Sequence, residues 1–332
     1  MKLRVGLVGL GNAWETRHRP ALRALGDRFE VRAVCEPVAH RADITAREFG
    51  ATAVDGFRAL ACRQDVDALV ILSSHWYGSL PILAACDAGK AVYCAASIDL
   101  DLEFADRIKA RVNDSGIAFV SEFPFRQSPA TLRLKELIAT RLGQPRLIFC
   151  HQRQPVPNMN GDAKTSATRE LVQLVDWCRY VVGDEPTSVL GMSHASDLAG
   201  MPDDYQMMSL DFSAAGELGM GAVAQVSCGR YILPTWPEAV SFRPPAAMQV
   251  ACQNGIAFID HPSTLIWFDT AGRHMESLDS ERPVGEQLLL HFYRAATSLV
   301  RNTATFDDTY RAYRIVREAR SSFQQGCRVT LT

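Results

Sequence analysis

Apolar and polar positions follow two different rhythms along this chain, and the change between them divides it. In the first part, short apolar runs alternate with helical stripes. Arg4–Val8 reads as a buried strand, Gly9-Leu10-Gly11-Asn12-Ala13-Trp14 turns out of it, a helix follows over about Arg17–Leu25, and Phe29–Val34 is a second strand. Ala39–Phe49 is expected to be helical, with Gly50 as its stop. Val66–Leu72 is apolar without interruption, as in a parallel strand buried on both faces. The alternation continues with a helix over Leu80–Ala88, a strand over Ala91–Cys94, a helix with Leu102, Ala105, Ile108 and Val112 on one stripe, and a strand over Ile117–Val120. Repeated βα units of this kind imply a doubly wound parallel sheet.

After about Glu122 the rhythm changes. A helix over Pro129–Leu142 leads into a strand over Pro145–His151, then a polar loop over Gln154–Thr165 and a helix over about Thr168–Val182. Ser188–Leu278 reads mostly as strands, among them Gln206–Phe212, Gly221–Cys228, Met248–Ala251, Ile256–Ile259 and Thr264–Phe268. Gln253-Asn254-Gly255 and Thr270-Ala271-Gly272 carry hairpin-turn residues. Helices over about Val284–Arg301 and Phe306–Gln325 and a short strand at Arg328–Leu331 close the chain. The expected fold is α/β: a doubly wound parallel sheet in residues 1–122, then an α+β domain in residues 123–332 with a large open, mainly antiparallel sheet.

Composition narrows the classes. At 332 residues the chain has room for two domains with ample cores. A net charge of −2 argues against a nucleic-acid surface. The longest apolar runs are strand-sized, so no membrane span is expected, and the sequence opens on a strand rather than a leader, which predicts a cytoplasmic location. Nine cysteines with no CxxC pair, several of them inside apolar strands, fit reduced buried thiols. The eight histidines show no ligand spacing with cysteines or acids, so no metal is expected.

The chemistry concentrates in the first thirty-six residues. Gly9 suits a tight turn after a strand, and Gly11 lets backbone amides approach a pyrophosphate. The amides of Asn12, Ala13 and Trp14 would then open a helix, where unpaired N–H groups and the helix dipole favour negative charge. Glu36 stands at the tip of the second strand, about 25 residues after Gly11, where an acid accepts bonds from a ribose diol. A carboxylate there repels a 2′-phosphate, so NAD is expected over NADP, with Arg41 near enough to soften the preference. Trp14 breaks the pattern. Glycine or alanine normally sits at that position, and an indole must swing outward or the turn must be longer. The bland alternative is an ordinary tight turn in a βαβ unit.

Several stretches together resemble the Gfo/Idh/MocA family, the glucose–fructose oxidoreductase and inositol dehydrogenase relatives, over nearly the full length. They are Gly6-Leu7-Val8-Gly9-Leu10-Gly11, His18-Arg19-Pro20-Ala21-Leu22, Val34-Cys35-Glu36-Pro37, Ala88-Gly89-Lys90-Ala91-Val92, Leu134-Lys135-Glu136-Leu137-Ile138, and Asp176 seven residues ahead of Gly183. The resemblance implies a Rossmann-type first domain, a nicotinamide cofactor, a sugar- or polyol-like substrate, and a homodimer or homotetramer formed through the second domain's sheet. It also implies a Glu-Lys-Pro after the strand at Ala91–Cys94, where this chain has Ala95-Ala96-Ser97. An Asp and a His are implied ahead of Asp176, and here those positions hold Arg169 and Gln173. Ser73-Ser74-His75 replaces a Thr-Pro-containing strand end at the cofactor cleft.

Hydride transfer to or from a carbinol requires a group that takes the hydroxyl proton. Alanines 95 and 96 cannot, and Gln173 does not titrate. Lys164 and Arg169 are the replacements within reach on the family layout, with Arg126 and His151 as further substrate contacts. Each has an ordinary structural reading as a loop lysine, a helix-surface ion pair or a packing residue. Three functions therefore stand open. One is a divergent NAD-dependent oxidoreductase, one a catalytically silent dinucleotide- or sugar-binding protein, and one an enzyme of another class using the same cleft.

Overall fold

The computed structural model describes residues 2–73, 76–95, 102–155, 167–194, 205–214, 217–232, 236, 238–239, 246–260, 263–279, 281–298 and 304–331. By its internal contacts the chain forms two compact units, 1–124 with 282–310, and 125–281 with 311–332.

The first unit is built on a six-stranded parallel sheet of order β3-β2-β1-β4-β5-β6. Its strands are β1 (Leu3–Val8), β2 (Phe29–Cys35), β3 (Thr52–Ala53), β4 (Ala68–Ile71), β5 (Ala91–Cys94) and β6 (Phe119–Ser121). The connecting helices are α1 (Arg19–Ala24), α2 (Ala39–Phe49), α3 (Phe57–Ala61), α4 (Leu80–Asp87) and α5 (Leu102–Ser115). The reversal of strand order beside β1 is the point at which such sheets open a crevice at their carboxyl ends. Val5, Leu7, Val70 and Tyr93 feed one apolar layer, and Val8, Leu69, Ile71 and Val92 feed the other. Both faces of β1, β4 and β5 are thereby buried, which explains the unbroken apolar runs in their sequences.

The helix α8 (Val284–Thr297) belongs to this unit, although a division at 122/123 would assign it to the second. Its stripe of Leu288, Leu289 and Phe292 enters the layer formed by Leu3, Phe29 and Tyr93, with the Phe292 ring 6.5 Å from Phe29 and 5.5 Å from Tyr93. An amphipathic stripe specifies that a helix will be covered, and it does not specify by which core.

The turn after β1 also departs from expectation. Trp14–His18 is a five-residue π-helical segment, closed by His18 N–H donating to the Ala13 carbonyl at 3.2 Å, and α1 continues from it. The wider turn lets the Trp14 indole point inward. The residue is 3% exposed, with its ring 6.0 Å from Phe49. The longer turn foreseen as one outcome is present, and the outward swing is not. Beyond it, the buried Glu122 carboxylate gathers three donors. The His18 imidazole lies at 2.6 Å, the Tyr93 hydroxyl donates at 2.7 Å, and the Arg17 guanidinium completes the set. Burial alone would raise the Glu122 pKa. The hydrogen bond and charge of His18, with Arg17 and Tyr93, outweigh burial and hold it at about 2.

The second unit carries a nine-stranded mixed sheet of order β14-β13-β12-β11-β7-β10-β9-β8-β15. Its strands are β7 (Pro145–Pro155), β8 (Ser188–His194), β9 (Tyr205–Asp211), β10 (Val223–Ile232), β11 (Met248–Cys252), β12 (Gly255–Asp260), β13 (Thr264–Asp269), β14 (Gly272–Ser277) and β15 (Val329–Thr330). Among the described residues of this sheet, only β7 and β10 pair in parallel. One face, with Ile148, Cys150, Val226, Leu210 and Val250, joins a single core with α6 (Pro129–Leu137), α7 (Ala167–Val182) and α9 (Ala304–Gln325). On the other face Leu147, Phe149, Leu190, Met192, Phe268 and Met275 are exposed. All nine cysteines are free, seven of them buried. Among the described residues no helix is long and apolar enough to cross a membrane, and no cluster of metal-ligating side chains occurs.

The Glu122 cluster has a pH signature. A carboxylate whose pKa is depressed by folding stabilises the fold above its ordinary value near 4.5 and loses that contribution as pH falls toward about 2. Glu122→Gln should lower stability at neutral pH by roughly 3 kcal/mol, the cost of leaving buried partners uncompensated. Its stability should also vary less with pH across that acid window, as read by urea unfolding. An unchanged pH dependence would sink this account of the cluster.

Candidate functional site

The site in the first unit begins with steric necessity. Gly9 has φ of +70°, and a Cβ there would lie 2.9 Å from Ser73 Cβ. A Cβ on Gly11 would fall on the Leu72 carbonyl oxygen. Both glycines let the turn press against the end of β4. Among the described residues, the amides of Gly11, Asn12 and Ala13 donate to no protein acceptor, whereas the Trp14 amide donates to the Gly11 carbonyl at 3.0 Å. Three open N–H groups thus stand at the entry to a helical segment, the kind of position at which anions are commonly held. Trp14 contributes packing to this site and presents neither its ring nor its amide.

Glu36 closes the other side. Its side chain is 3% exposed, and its Oε2 accepts the Leu10 N–H at 2.7 Å. Arg41, on the first turn of α2, donates from Nη2 to the Leu10 carbonyl at 2.6 Å and lies 3.5 Å from Glu36 Oε1. The peptide units on both sides of Leu10 are thus held from the tip of β2 and from α2. Next to Glu36 opens a pocket of about 300 Å³ lined by Cys35, Glu36, Pro37, Asp43, Asp55 and Tyr77, among others. The Tyr77 ring packs 5.0 Å from Phe57, and its hydroxyl accepts from the Cys35 thiol at 3.7 Å. Burial, the contact with Cys35 and the charges of Glu36 and Asp55 push the Tyr77 pKa up to about 12, so the phenol stays protonated. Sequence reasoning missed Asp43, Asp55 and Tyr77. The Asp55-Gly56 pair just beyond β3 was the available signal, since Gly56 has φ of +90° and turns the chain there.

Other expected site residues are dispersed. Ser73 lies under Gly9, and Ala95 is buried at the end of β5. Ser74, His75, Ala96 and Lys164 lie outside the described residues. In the second unit, Arg169, Gln173 and Asp176 share one face of α7 at helical spacing, Arg169 and Gln173 half-buried and Asp176 1% exposed. Arg126 grips Asp176 through two nitrogens, with Nε at 2.6 Å, and stacks its guanidinium 5.2 Å from the Tyr180 ring. Arg179 donates to the same carboxylate at 3.2 Å and to Glu185. Arg126, expected to meet substrate, is thereby engaged by a buried acid. His151 lies in mid-strand, because β7 runs on to Pro155, and its Nδ1 meets Ser227 Oγ of β10 at 2.7 Å. Burial and the charge of Arg153 lower its pKa, so the imidazole favours its neutral form.

Comparison with known proteins bears on the fold and on the first unit. Residues 3–123 match the Gfo/Idh/MocA family, described as an oxidoreductase family with an NAD-binding Rossmann fold. Inositol 2-dehydrogenase 3 of Saccharopolyspora erythraea is 29% identical over 190 residues, 57% of this chain and 56% of that protein. The oxidoreductase YrbE of Bacillus subtilis, itself uncharacterized, is 24% identical over 83% of this chain and 81% of its own length. The chain thus matches little more than half of the first of these relatives. Among solved structures, a levoglucosan dehydrogenase in complex with NADH and levoglucosan shares the fold with a TM-score of 0.84 at 18% identity, over 99% of both chains. An aldose–aldose oxidoreductase from Caulobacter crescentus gives 0.84 at 15% identity over the whole of both. The likeness to the Gfo/Idh/MocA family, an oxidoreductase family with an NAD-binding Rossmann fold, is thus carried by residues 3–123.

Proposed function

We propose that this protein is an NAD(H)-dependent oxidoreductase acting on a sugar- or polyol-like substrate, with the proton-handling groups usual in its family replaced. The carrying observation is the set of open amides at Gly11, Asn12 and Ala13 facing a turn gripped by Glu36. These amides would hold the diphosphate, Glu36 the adenosine ribose, and the pocket beside Asp55 and Tyr77 the adenine end. The inositol dehydrogenase and levoglucosan dehydrogenase names among its relatives support a polyhydroxylated substrate.

A bound dinucleotide supplies the hydride acceptor or donor. The chain's own residues must supply the rest, and here the positions differ from the family pattern. Ala95 offers no proton acceptor at the end of β5. On α7, Gln173 offers a hydrogen bond without titrating, and Arg169 a guanidinium suited to an anionic group on the ligand. Asp176 is neutralised by Arg126 and Arg179. That neutralisation favours a second reading, binding without turnover, because a carboxylate gripped by two guanidiniums is a poor general base. Residues 1–122 are proposed to form the dinucleotide domain, joined in space by α8, with the substrate groups in the later residues.

Leu147, Phe149, Leu190, Met192, Phe268 and Met275 are exposed apolar side chains on one face of the second unit's sheet. We propose that a second copy covers it, giving a homodimer or a dimer of dimers.

Titration of the full chain with NADH, followed by nicotinamide fluorescence, tests the first reading. Saturable binding is expected, and Glu36→Ala should weaken NADH more than NADPH. Absence of binding overturns it. Turnover of NAD with a panel of polyols, myo-inositol included, then separates enzyme from silent binder. For the assembly, sedimentation should give a dimer or larger mass, and Phe149→Glu should shift it toward the monomer. A wild-type monomer at micromolar concentration would contradict the proposed interface.

A further inference from the structure

The buried acid Glu122 lies beside the alanine at position 95. The register of β5 and β6 pairs Val92 with Phe119, Tyr93 with Val120 and Cys94 with Ser121, and the Glu122 amide donates to the Cys94 carbonyl at 2.8 Å. One further step along both strands sets Ala95 against Glu122. Residues in register on adjacent strands share one face of the sheet, at a strand spacing of roughly 5 Å. That face is marked by Tyr93 and Val120, which pack in the same apolar layer as Ala95. Both positions are enclosed, Ala95 at 6% exposure and Glu122 at 5%.

From this geometry we infer that Glu122 is a positioning residue for the proposed nucleotide-binding turn, and that it delivers from β6 a carboxylate which position 95 on β5 could equally carry. The cluster needs one acid. Its donors come from two sides, His18 and Arg17 from the π turn and the Tyr93 hydroxyl from β5 itself. Ala95 follows Tyr93 on the same face of the same strand, so an acid at either position stands among these donors. Two acids there would repel, because like charges a strand's width apart are costly to bury together. Glutamate at one position and alanine at the other also hold the buried volume constant, the exchange that a packed core tolerates best. The alanine at the end of β5, where the family resemblance implies a glutamate, and the buried glutamate on β6 are thus two halves of one arrangement. The positioning role rests on the proposed dinucleotide site, and the exchange between strands does not.

The experiment is a double-mutant cycle on the full chain. It takes Ala95→Glu, Glu122→Ala and the two together, with Ala95→Gln/Glu122→Ala as an uncharged control of similar bulk. Urea unfolding and NADH titration are read for each. Both single substitutions should lower the urea midpoint, the first by crowding two carboxylates and the second by stranding His18, Arg17 and Tyr93. The exchanged pair should recover most of that loss, and the glutamine control should not. The acid-side loss of stability that marks Glu122 should return in the exchanged pair and be absent from the control. NADH binding should weaken on the order of tenfold in Glu122→Ala, the size of one charged hydrogen bond, and recover in the exchanged pair. An exchanged pair that does not fold, or is no more stable than Glu122→Ala, overturns the inference. Equal recovery in the glutamine control also overturns it, since bulk alone would then explain the result. An NADH affinity that Glu122→Ala leaves unchanged refutes the positioning role. If wild type binds no NADH, the dinucleotide site falls and the positioning role with it, while the unfolding cycle still decides whether the two strands can exchange the acid.

Discussion

Glu122 is the constraint on which the first unit's geometry depends. A charged carboxylate can stay buried only when its hydrogen-bonding capacity is filled and its charge is balanced. Here that requirement draws His18 and Arg17, from the end of the π turn, and Tyr93, from β5, to one point past the end of β6. The turn is therefore fixed at its far end by a buried ion cluster and at its near end by Glu36 and Arg41 on Leu10. Between the two anchors lie the open amides. A wide π turn with a buried indole is thus held at both ends, by one carboxylate on each side.

Much of this was legible in the sequence, for physical reasons. Parallel strands buried on both faces have no alternation, so β1, β4 and β5 announced themselves as unbroken apolar runs. The Gly9–Gly11–Glu36 spacing is forced by the close approach of the turn to β4 and by the reach of β2, and both contacts are present. The inward course of Trp14 was hidden, because it depends on one extra residue per turn, which no side-chain pattern encodes. So was the ownership of α8. Its stripe declares burial, but the partner strands precede it by most of the chain. The pairing of Arg126 with Asp176 across 50 residues was equally invisible, and it changes the chemistry open to both.

The two units treat their acids differently. In the first, Glu36 is held mainly by a backbone amide on one oxygen, and its other oxygen has only longer approaches, from the Val38 amide and Arg41. In the second, Asp176 is enclosed by two guanidiniums, and the chain of charges runs on through Arg179 and Glu185 to Arg311. An acid with an unfilled oxygen can recognise a ligand, and one with every lone pair engaged holds an architecture together.

The return of α8 to the first unit has a consequence for how the protein is made. Leu288, Leu289 and Phe292 fill a layer whose other walls, Leu3 to Val120, precede them by well over a hundred residues. Translation delivers those walls well before the helix that covers them, so their apolar layer is made ahead of its cover. A chaperone has something to hold throughout that interval. Any attempt to express residues 1–124 alone should yield a sticky, incompletely packed product, curable by splicing the missing helix back on.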